Sequence, residues 1–169
     1  MIESKILPDR DRVERLNGEI FGGLPVGRQY TACVDRLIEL LIVHLASKAI
    51  IRTQKSMRLS HNSELQPDIT ILRLRNESSA ARHPQLEDIV LVIEVIETAM
   101  EGDRATQILT YAQGNIPVVW LVDLNAEVVE VFQEPTTQGY LSHQRSHRGQ
   151  TLILPQFSDI AIAVDQILG

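Results

Sequence analysis

Two acidic residues in otherwise apolar segments are the first candidates for chemistry. Glu94 lies inside the run Ile89–Ile96 (IVLVIEVI), and Asp68 opens a second, β-branched segment in QPDITILR. A buried carboxylate is costly to desolvate, so each of these residues needs a cation, a metal ion or a proton as its partner. Carboxylate oxygens favour Mg²⁺ or Mn²⁺. If the two segments are neighbouring strands, Asp68 and Glu94 could hold such an ion, with the carbonyl oxygen of Val95 as a third ligand.

Each acid also has a purely structural explanation. Asp68 could bond to its own backbone at the entrance of a strand, as aspartates in that position often do. Glu94 could form an ion pair with an arginine from the polar segment 74–88. Residue types alone leave both explanations open.

A helix is predicted over residues 98–114, directly after the Glu94 segment. Thr98 is a candidate N-cap within a capping box. The side chains predicted to form its buried stripe are Ala105, Ile108, Leu109 and Ala112. Asp103, Gln107 and Tyr111 recur every fourth residue and share a different face. That face could serve the site, or it could simply be solvated.

Basic residues and histidines near the C-terminus form a weaker pattern. His143 and His147 are four residues apart, a spacing that suits a metal on a helix, but the flanking glycines argue against a helix there. We therefore expect both histidines on the surface. Arg145 and Arg148 could contact phosphate, a hypothesis that depends on their charge alone.

The predicted elements that would position these residues alternate between strands and helices. An Asn17-Gly18 hairpin is expected within Glu14–Phe21. A long amphipathic helix is expected over Thr31–Ala49. Strands are predicted over Ala49–Leu59, 66–73, 89–96, Pro117–Leu124, Glu127–Gln133 and Tyr140–Arg145, with closing apolar segments TLILPQF and DIAIAV. Local strand neighbours with one helical crossover indicate an α/β (α+β) fold with a central mixed sheet flanked by helices.

Composition limits the class of protein. The 169 residues fit a single domain (1–169), and 44% hydrophobic with 22% charged residues is an ordinary globular balance. The net charge of −6 argues against strong non-specific attraction of DNA, although acids that hold a metal ion would lower that charge. The lone Cys33 excludes an internal disulfide and a thiolate zinc site. Without a signal sequence or membrane span, we expect a soluble, cytoplasmic protein.

An ordered set of motifs resembles a known family. The segments QPDITIL, VLVIEVIE and GDRATQILTYAQGNIPVVWLVDLNAEVVEVF are similar to those of the Uma-type putative restriction endonucleases, within the PD-(D/E)XK nuclease superfamily. ERLNGEIF resembles the family's opening hairpin, and LILPQFSDIAIAV its closing segment. The resemblance covers nearly the whole chain and implies a restriction-endonuclease-like fold that hydrolyses DNA phosphodiesters with magnesium.

The family's site residues can be transferred one at a time. The resemblance implies that Asp68 is the acid of the PD motif and Glu94 the second acid. It also implies accessory roles for Asp103 and Tyr111 on the following helix, and for Glu19 as an acid near the site. An exposed hairpin acid is the simpler interpretation of Glu19.

Gln107 is the departure from the family pattern. It stands where the resemblance places the catalytic lysine, and no lysine follows Asp68 in the chain. Arg104 is the nearest candidate cation, but it lies about 60° around the helix from Gln107. A glutamine can hydrogen-bond a water but brings no charge, so we expect a rate lowered on the order of 10²-fold.

The sequence thus predicts a Mg²⁺- or Mn²⁺-dependent DNA endonuclease that uses Asp68, Glu94 and Gln107. The alternative is a catalytically inactive nuclease-fold protein that binds nucleic acid or a protein partner. A homodimer is expected by analogy with DNA-cutting enzymes that cut one strand per subunit.

Overall fold

The structure is a computed structural model that describes residues 13–22, 27–75, 84–97 and 101–169. The elements in chain order are β1 (Val13–Leu16), β2 (Glu19–Gly22), α1 (Arg28–Leu45), β3 (Ala49–Thr53), β4 (Met57–Arg58), β5 (Glu64–Leu65), β6 (Ile69–Arg73), β7 (Ile89–Ile96), α2 (Glu101–Gln113), β8 (Val118–Asp123), β9 (Val128–Thr136), β10 (Gly139–His147), β11 (Thr151–Leu154), β12 (Phe157–Ala163) and α3 (Val164–Leu168). A 3₁₀ turn, Leu86–Asp88, directly precedes β7.

A central mixed sheet organises the fold, with strand order β10-β9-β8-β7-β6-β3. β7 and β8 are parallel, whereas the other neighbouring pairs are antiparallel. A parallel pair needs a crossover connection, and α2 supplies it. The predicted mixed sheet with flanking helices is therefore confirmed.

Two apolar clusters cover the two faces of this sheet. On one face, Leu37 and Leu41 of α1 pack with Leu91 and Ile93 of β7. On the other face, a second cluster gathers side chains from α2, the N-terminal hairpin and the sheet: Leu16, Met57, Leu65, Leu72, Ile89, Val92, Ile108, Tyr111, Ile116 and Val119. Successive strand residues point to opposite faces, so Glu94 lies on the α2 face together with Val92.

The N-terminal hairpin forms as predicted. Asn17 and Gly18 have φ angles of 50° and 85°, the positive values that a two-residue type I′ turn requires and that glycine adopts easily. The turn sets Leu16 opposite Glu19. The hairpin belongs to a second sheet, order β2-β1-β5-β4, and Leu16 of β1 packs in the same apolar cluster as Ile108 of α2.

α1 covers one face of the central sheet and buries the lone thiol. Cys33 lies three residues after Tyr30 on the same side of the helix and is fully buried. Its sulfur contacts the carbonyl oxygen of Ile167 in α3 at 3.4 Å. Burial raises the pKa of the Cys33 thiol to about 11.

Several predicted boundaries were wrong. α1 begins earlier than expected, and it also ends earlier because Ser47 turns the chain at φ 63°. The single strand predicted over Ala49–Leu59 is two strands, β3 and β4, because Gln54 at φ 47° breaks it. The closing segments pair as a separate sheet, β11-β12, and the final helix α3 was not predicted.

Some expectations fall outside the described part of the chain. The predicted N-cap, Thr98, lies there, as do residues 76–83 of the polar segment. Among the described residues, no helix combines the length and apolar character needed to cross a membrane.

Candidate active site

Asp68 and Glu94 lie side by side, one at the entrance of β6 and the other within β7. The antiparallel register places Ile69 opposite Ile93, so the next position sets Asp68 beside Glu94. The backbone N–H of Asp68 donates to Oε2 of Glu94 at 3.4 Å. The exposed fractions of the two residues are 0% and 3%. Two acids that are 26 residues apart in the chain thus share one buried location.

The carboxylate of Asp68 accepts hydrogen bonds from both α1 and β7. The hydroxyl of Tyr30, in the first turn of α1, donates to Oδ1 of Asp68. The backbone N–H of Val95, in β7, donates to Oδ2 at 2.8 Å. Hydrogen bonds of this kind stabilise the ionised form of a carboxylate. Val95, expected to contribute its carbonyl oxygen to a metal ion, therefore also orients Asp68 through its N–H.

Glu94 receives two hydrogen bonds from α2. The hydroxyl of Tyr111 donates to Oε1 at 2.5 Å, and the amide Nε2 of Gln107 donates to the same oxygen at 3.0 Å. The two donors are one helical turn apart, so both can point at β7. Burial, followed by the negative charge of Glu94, raises the pKa of Tyr111 well above its ordinary value. Tyr111 therefore keeps its proton and donates it.

The face shared by Asp103, Gln107 and Tyr111 runs from solvent into the core. Asp103 is exposed, Gln107 is half-buried and Tyr111 is fully buried. The interpretation of this face as solvated is therefore wrong for Tyr111 and agrees with the exposure of Asp103.

The predicted apolar stripe of α2 is only partly right. Ile108 and Ala112 are buried, but Ala105 is exposed and Leu109 is half-buried. Tyr111, rather than Leu109, is the buried side chain. Its hydroxyl reaches a buried acceptor, Glu94, and such a hydrogen bond makes burial of a phenol favourable. A signal for this was available: a glutamate buried in β7 needs donors from whatever helix packs over it.

The hairpin places Glu14, not Glu19, toward the carboxylates. Glu19 is exposed, and no hydrogen bond or ion pair of its side chain occurs within the described residues. Oε1 of Glu14 accepts the backbone N–H of Gln66 at 3.2 Å, two residues before Asp68. The charge of Glu14 also contributes to the raised pKa of Tyr111. Glu19 opens β2 with an exposed side chain, as the simpler interpretation expected, and its accessory role stays a prediction from the resemblance.

Arg104 does not take the place of the missing lysine. Its guanidinium donates to Glu130 of β9 and, at 3.5 Å, to Asp123 at the end of β8. Nε2 of His143 also lies 2.6 Å from Oε2 of Glu130. Burial would raise the pKa of Glu130, but hydrogen bonds from Arg104 and His143 outweigh that effect and lower the pKa below its ordinary value.

Glu130 is a buried acid that the sequence analysis missed. Leu121 of β8 is paired with Glu94 on one side and with Glu130 on the other. The two glutamates therefore lie in one row across the sheet, with a leucine between them. Glu130 is only 4% exposed, and the apolar residues around it in VVEVF were the signal that could have found it.

The donor set fits a divalent cation of the magnesium type. Within the described residues, no three or more His, Cys, Asp or Glu side chains cluster closely enough to hold a metal ion. Mg²⁺ needs fewer, because it is usually bound through one or two carboxylates, with waters and substrate phosphates completing its octahedron. Asp68 and Glu94 supply two hard oxygen donors of this kind.

The C-terminal basic residues have other roles. His143 and His147 both lie in β10, where four residues span about 13 Å, so they cannot share a metal ion. The ring of His143 stacks on Phe132 with centroids 4.3 Å apart. Arg148 pairs with Glu127 at 2.8 Å and Asp165 at 3.4 Å, so its charge is balanced by surface acids.

Comparison with known proteins identifies the family. The sequence matches the Uma2 family, described as putative restriction endonuclease, over residues 3–165. A putative nuclease belonging to DUF820 from Anabaena variabilis ATCC 29413 is similar in structure, with a TM-score of 0.73 and 15% sequence identity over 92% of this chain and 89% of that chain. The type IIG restriction endonuclease BpuSI aligns with a TM-score of 0.46 and 18% identity, over 90% of this chain and 17% of its own. No curated protein sequence matches this chain.

The family match and the DUF820 structure confirm the predicted restriction-endonuclease-like fold and the family inferred from the motifs. Since the family match extends over nearly all of the 169 residues, the chain belongs to the Uma2 family of putative restriction endonucleases.

Proposed function

We propose that this protein is a metal-dependent endonuclease that hydrolyses phosphodiester bonds of DNA, with Asp68 and Glu94 holding Mg²⁺ or Mn²⁺. The observation that carries the proposal is the buried pair of carboxylates, joined across β6 and β7 by the 3.4 Å contact between the Asp68 N–H and Glu94. Two adjacent buried acids repel each other unless a cation or a proton intervenes. A divalent cation would satisfy both and would serve the chemistry that the family's name implies.

Hydrolysis requires a water molecule to attack phosphorus and one P–O ester bond to break, which leaves a phosphomonoester and a hydroxyl. A bound divalent cation neutralises charge on the phosphate and makes water a better nucleophile. Tyr30 and the Val95 N–H fix Asp68, while Tyr111 fixes Glu94. These bonds fix the orientation of both carboxylates.

Gln107 occupies the position that the resemblance gives to the catalytic lysine. Its amide touches Glu94 at 3.0 Å, so a water beside Glu94 would lie within its reach. An amide can orient that water but cannot stabilise developing negative charge as an ammonium would. We therefore expect slow cleavage, lower on the order of 10²-fold than with a lysine. Asp103 keeps its accessory role only as a prediction from the resemblance.

A plasmid-nicking assay with added Mg²⁺ or Mn²⁺ tests the proposal. Wild type should convert supercoiled plasmid to nicked and linear forms, and Glu94→Ala should not. Glu94→Gln is the matched variant, because it keeps the shape of the side chain and removes the charge. Equal activity of wild type and both variants would reject Asp68 and Glu94 as the site.

A second candidate is a catalytically inactive protein that binds nucleic acid or a protein partner. The glutamine at position 107 favours it, because that residue removes the one cation expected beside Glu94. In that case neither metal would support nicking by the wild-type protein, while binding would remain.

We further propose that the protein acts in the cytoplasm as a homodimer in which each subunit cuts one strand. The support is analogy with DNA-cutting enzymes of this fold. Sedimentation at several protein concentrations tests the dimer, and a single monomeric species throughout would contradict it.

A further inference from the structure

A basic pocket lies beside the two carboxylates. Arg52 of β3, Lys55 in the following turn and Arg58 of β4 surround a cavity of about 250 Å³. We call these three residues and their cavity the Arg52 pocket. Thr70 of β6 also lines the cavity, as does Gln85 before the 3₁₀ turn, so the cavity contains hydrogen-bond donors as well as positive charge.

The Arg52 pocket opens on the same face of the sheet as the Glu94 side chain. Arg52 is paired directly with Thr70, which follows Asp68 by two residues. At about 3.4 Å per residue, Thr70 lies roughly 7 Å along β6 from Asp68. Met57 also lines the cavity and belongs to the apolar cluster that contains Tyr111. The pocket and the carboxylates are therefore neighbours.

The Arg52 pocket carries three cations that no acid in the described part of the chain balances. Within the described residues, none of its three cations forms an ion pair, and no lining side chain is acidic. Glu64 is the cross-strand neighbour of Arg58, but the two form no ion pair. Some other arginines of the chain do pair with acids, for example Arg75 with Asp88, Arg104 with Glu130 and Arg148 with Glu127.

This concentration of positive charge is unusual in an acidic protein. The chain has a net charge of −6, and like charges placed together repel one another unless an anion joins them. Arginine guanidinium groups match phosphate oxygens in a bidentate geometry, and a lysine adds a mobile point charge. The chemistry of the cluster therefore fits a phosphate group.

We propose that the Arg52 pocket binds a backbone phosphate of the DNA strand whose neighbouring phosphodiester lies at Asp68 and Glu94. This inference rests on the proposed function and adds to it the site that positions the strand. Because Thr70 lies only about 7 Å from Asp68 along β6, the pocket grips the strand close to the bond that is cut. Such a contact fixes register and carries no sequence preference.

DNA binding measured apart from cleavage tests this inference. A short fluorescein-labelled duplex is titrated with protein in EDTA, and its anisotropy is followed over a series of salt concentrations. The test protein carries Arg52→Gln, Lys55→Gln and Arg58→Gln. The control protein loses the same charge elsewhere, through Lys48→Gln, Arg73→Gln and Arg148→Gln.

The pocket variant should bind DNA at least about tenfold more weakly at low salt. Its slope of log affinity against log salt should fall by about one for each phosphate contact that is lost. The control variant should keep the wild-type affinity within about threefold and the wild-type slope. Lys55→Glu alone, at an exposed turn position, should weaken binding without any effect on folding.

Each outcome decides the inference. Equal affinity of the pocket and control variants overturns it, as does a wild-type protein that fails to bind DNA. Inorganic phosphate is a second probe: if the pocket binds it while wild type and pocket variant bind duplex alike, the pocket takes a small anion only and the inference fails. A wild-type protein that binds through the pocket but does not nick plasmid upholds the inference and contradicts the proposed function.

Discussion

The hydroxyl of Tyr111 and Oε1 of Glu94 are 2.5 Å apart, in the interior between α2 and β7. Tyr111 is fully buried and Glu94 is 3% exposed, so this hydrogen bond forms with little competition from water. Because Gln107 donates to the same oxygen, α2 presents two donors to one carboxylate. The position of the helix and the orientation of Glu94 are thus fixed together.

Tyr111→Phe should lower both stability and activity. The variant removes one hydrogen bond to a buried charged group, which contributes about 1.5–3 kcal/mol to the free energy of unfolding. Denaturant unfolding measures the stability, and plasmid nicking the activity. Tyr140→Phe is the matched control, because its hydroxyl donates to the neutral carbonyl of Ile116 at 2.7 Å. If Tyr140→Phe impairs nicking as much as Tyr111→Phe, the contact with Glu94 has no special role.

Gln107→Lys should increase cleavage on the order of 10²-fold. The ammonium would lie beside Glu94, where the amide of Gln107 now lies. Rates of plasmid nicking under one metal concentration measure the effect. Ala105→Lys adds the same charge at an exposed position of the same helix and should leave the rate near that of wild type. An unchanged rate in Gln107→Lys, with metal binding intact, would show that a missing lysine does not limit this protein.

Mn²⁺ should raise the melting temperature of the wild-type protein, because a ligand that binds only the folded state stabilises it. At a hundredfold excess over the dissociation constant the gain is about 2.7 kcal/mol, or roughly 5–10 °C for a chain of this size. Asp68→Asn should remove the shift, and Asp159→Asn, at an exposed acid, should retain it. A full shift in Asp68→Asn would place the metal ion elsewhere.

Glu130→Gln should destabilise the protein in a pH-dependent manner. The pKa of Glu130 is lower in the folded state than its ordinary value of 4.5, so the unfolded state takes up the proton first as the pH falls. The stabilisation is complete above pH 4.5 and is lost as the pH falls through the lowered pKa. At neutral pH we expect a loss of about 1–3 kcal/mol.

Urea unfolding at neutral pH and at about pH 3 checks this dependence. The stability difference between wild type and Glu130→Gln should shrink in acid. Glu127→Gln, at an exposed partner of Arg148, should have only a small effect at either pH, as is usual for surface pairs. A difference for Glu130→Gln that is the same at both pH values would contradict the prediction.

Glu14→Gln should reduce nicking more than Glu19→Gln does. Glu14 lies beside Gln66, close to Asp68, and its charge acts on Tyr111. Glu19 is exposed at the hairpin. Both variants are tested in the same plasmid assay, and circular dichroism confirms that the hairpin sheet is retained. Greater loss with Glu19→Gln would restore the assignment that the resemblance suggested.

The parts of the site that could be predicted come from strong local patterns. The apolar run around Glu94 predicted a strand buried on both faces, and the Asp68 segment predicted its neighbour. Their pairing follows once both are strands of one sheet, because sequential strands tend to lie next to each other. The Asn17-Gly18 hairpin was equally predictable, since few residues tolerate two successive positive φ angles.

The parts that could not be predicted depend on contacts between distant segments. Tyr111 appeared to belong to a polar face, because its burial depends on an acceptor in another element, 17 residues away. Glu14 and Glu19 differ only in how the hairpin docks against α2, which no local pattern encodes. The break at Gln54 and the short helix α3 likewise follow from tertiary packing, which overrides local propensity.

Cys33 gives this fold a natural chemical reporter. Its thiol pKa of about 11 leaves roughly one molecule in ten thousand as thiolate at neutral pH, and the side chain is fully enclosed beneath the helix whose first turn supplies Tyr30. An alkylating reagent can label the thiol only when α1 separates from the sheet or α3 separates from α1, and separation of α1 from the sheet also removes the Tyr30 hydrogen bond to Asp68. The labelling rate therefore sets an upper limit on how often the candidate metal ligand loses that bond, in the wild-type sequence and without any added probe.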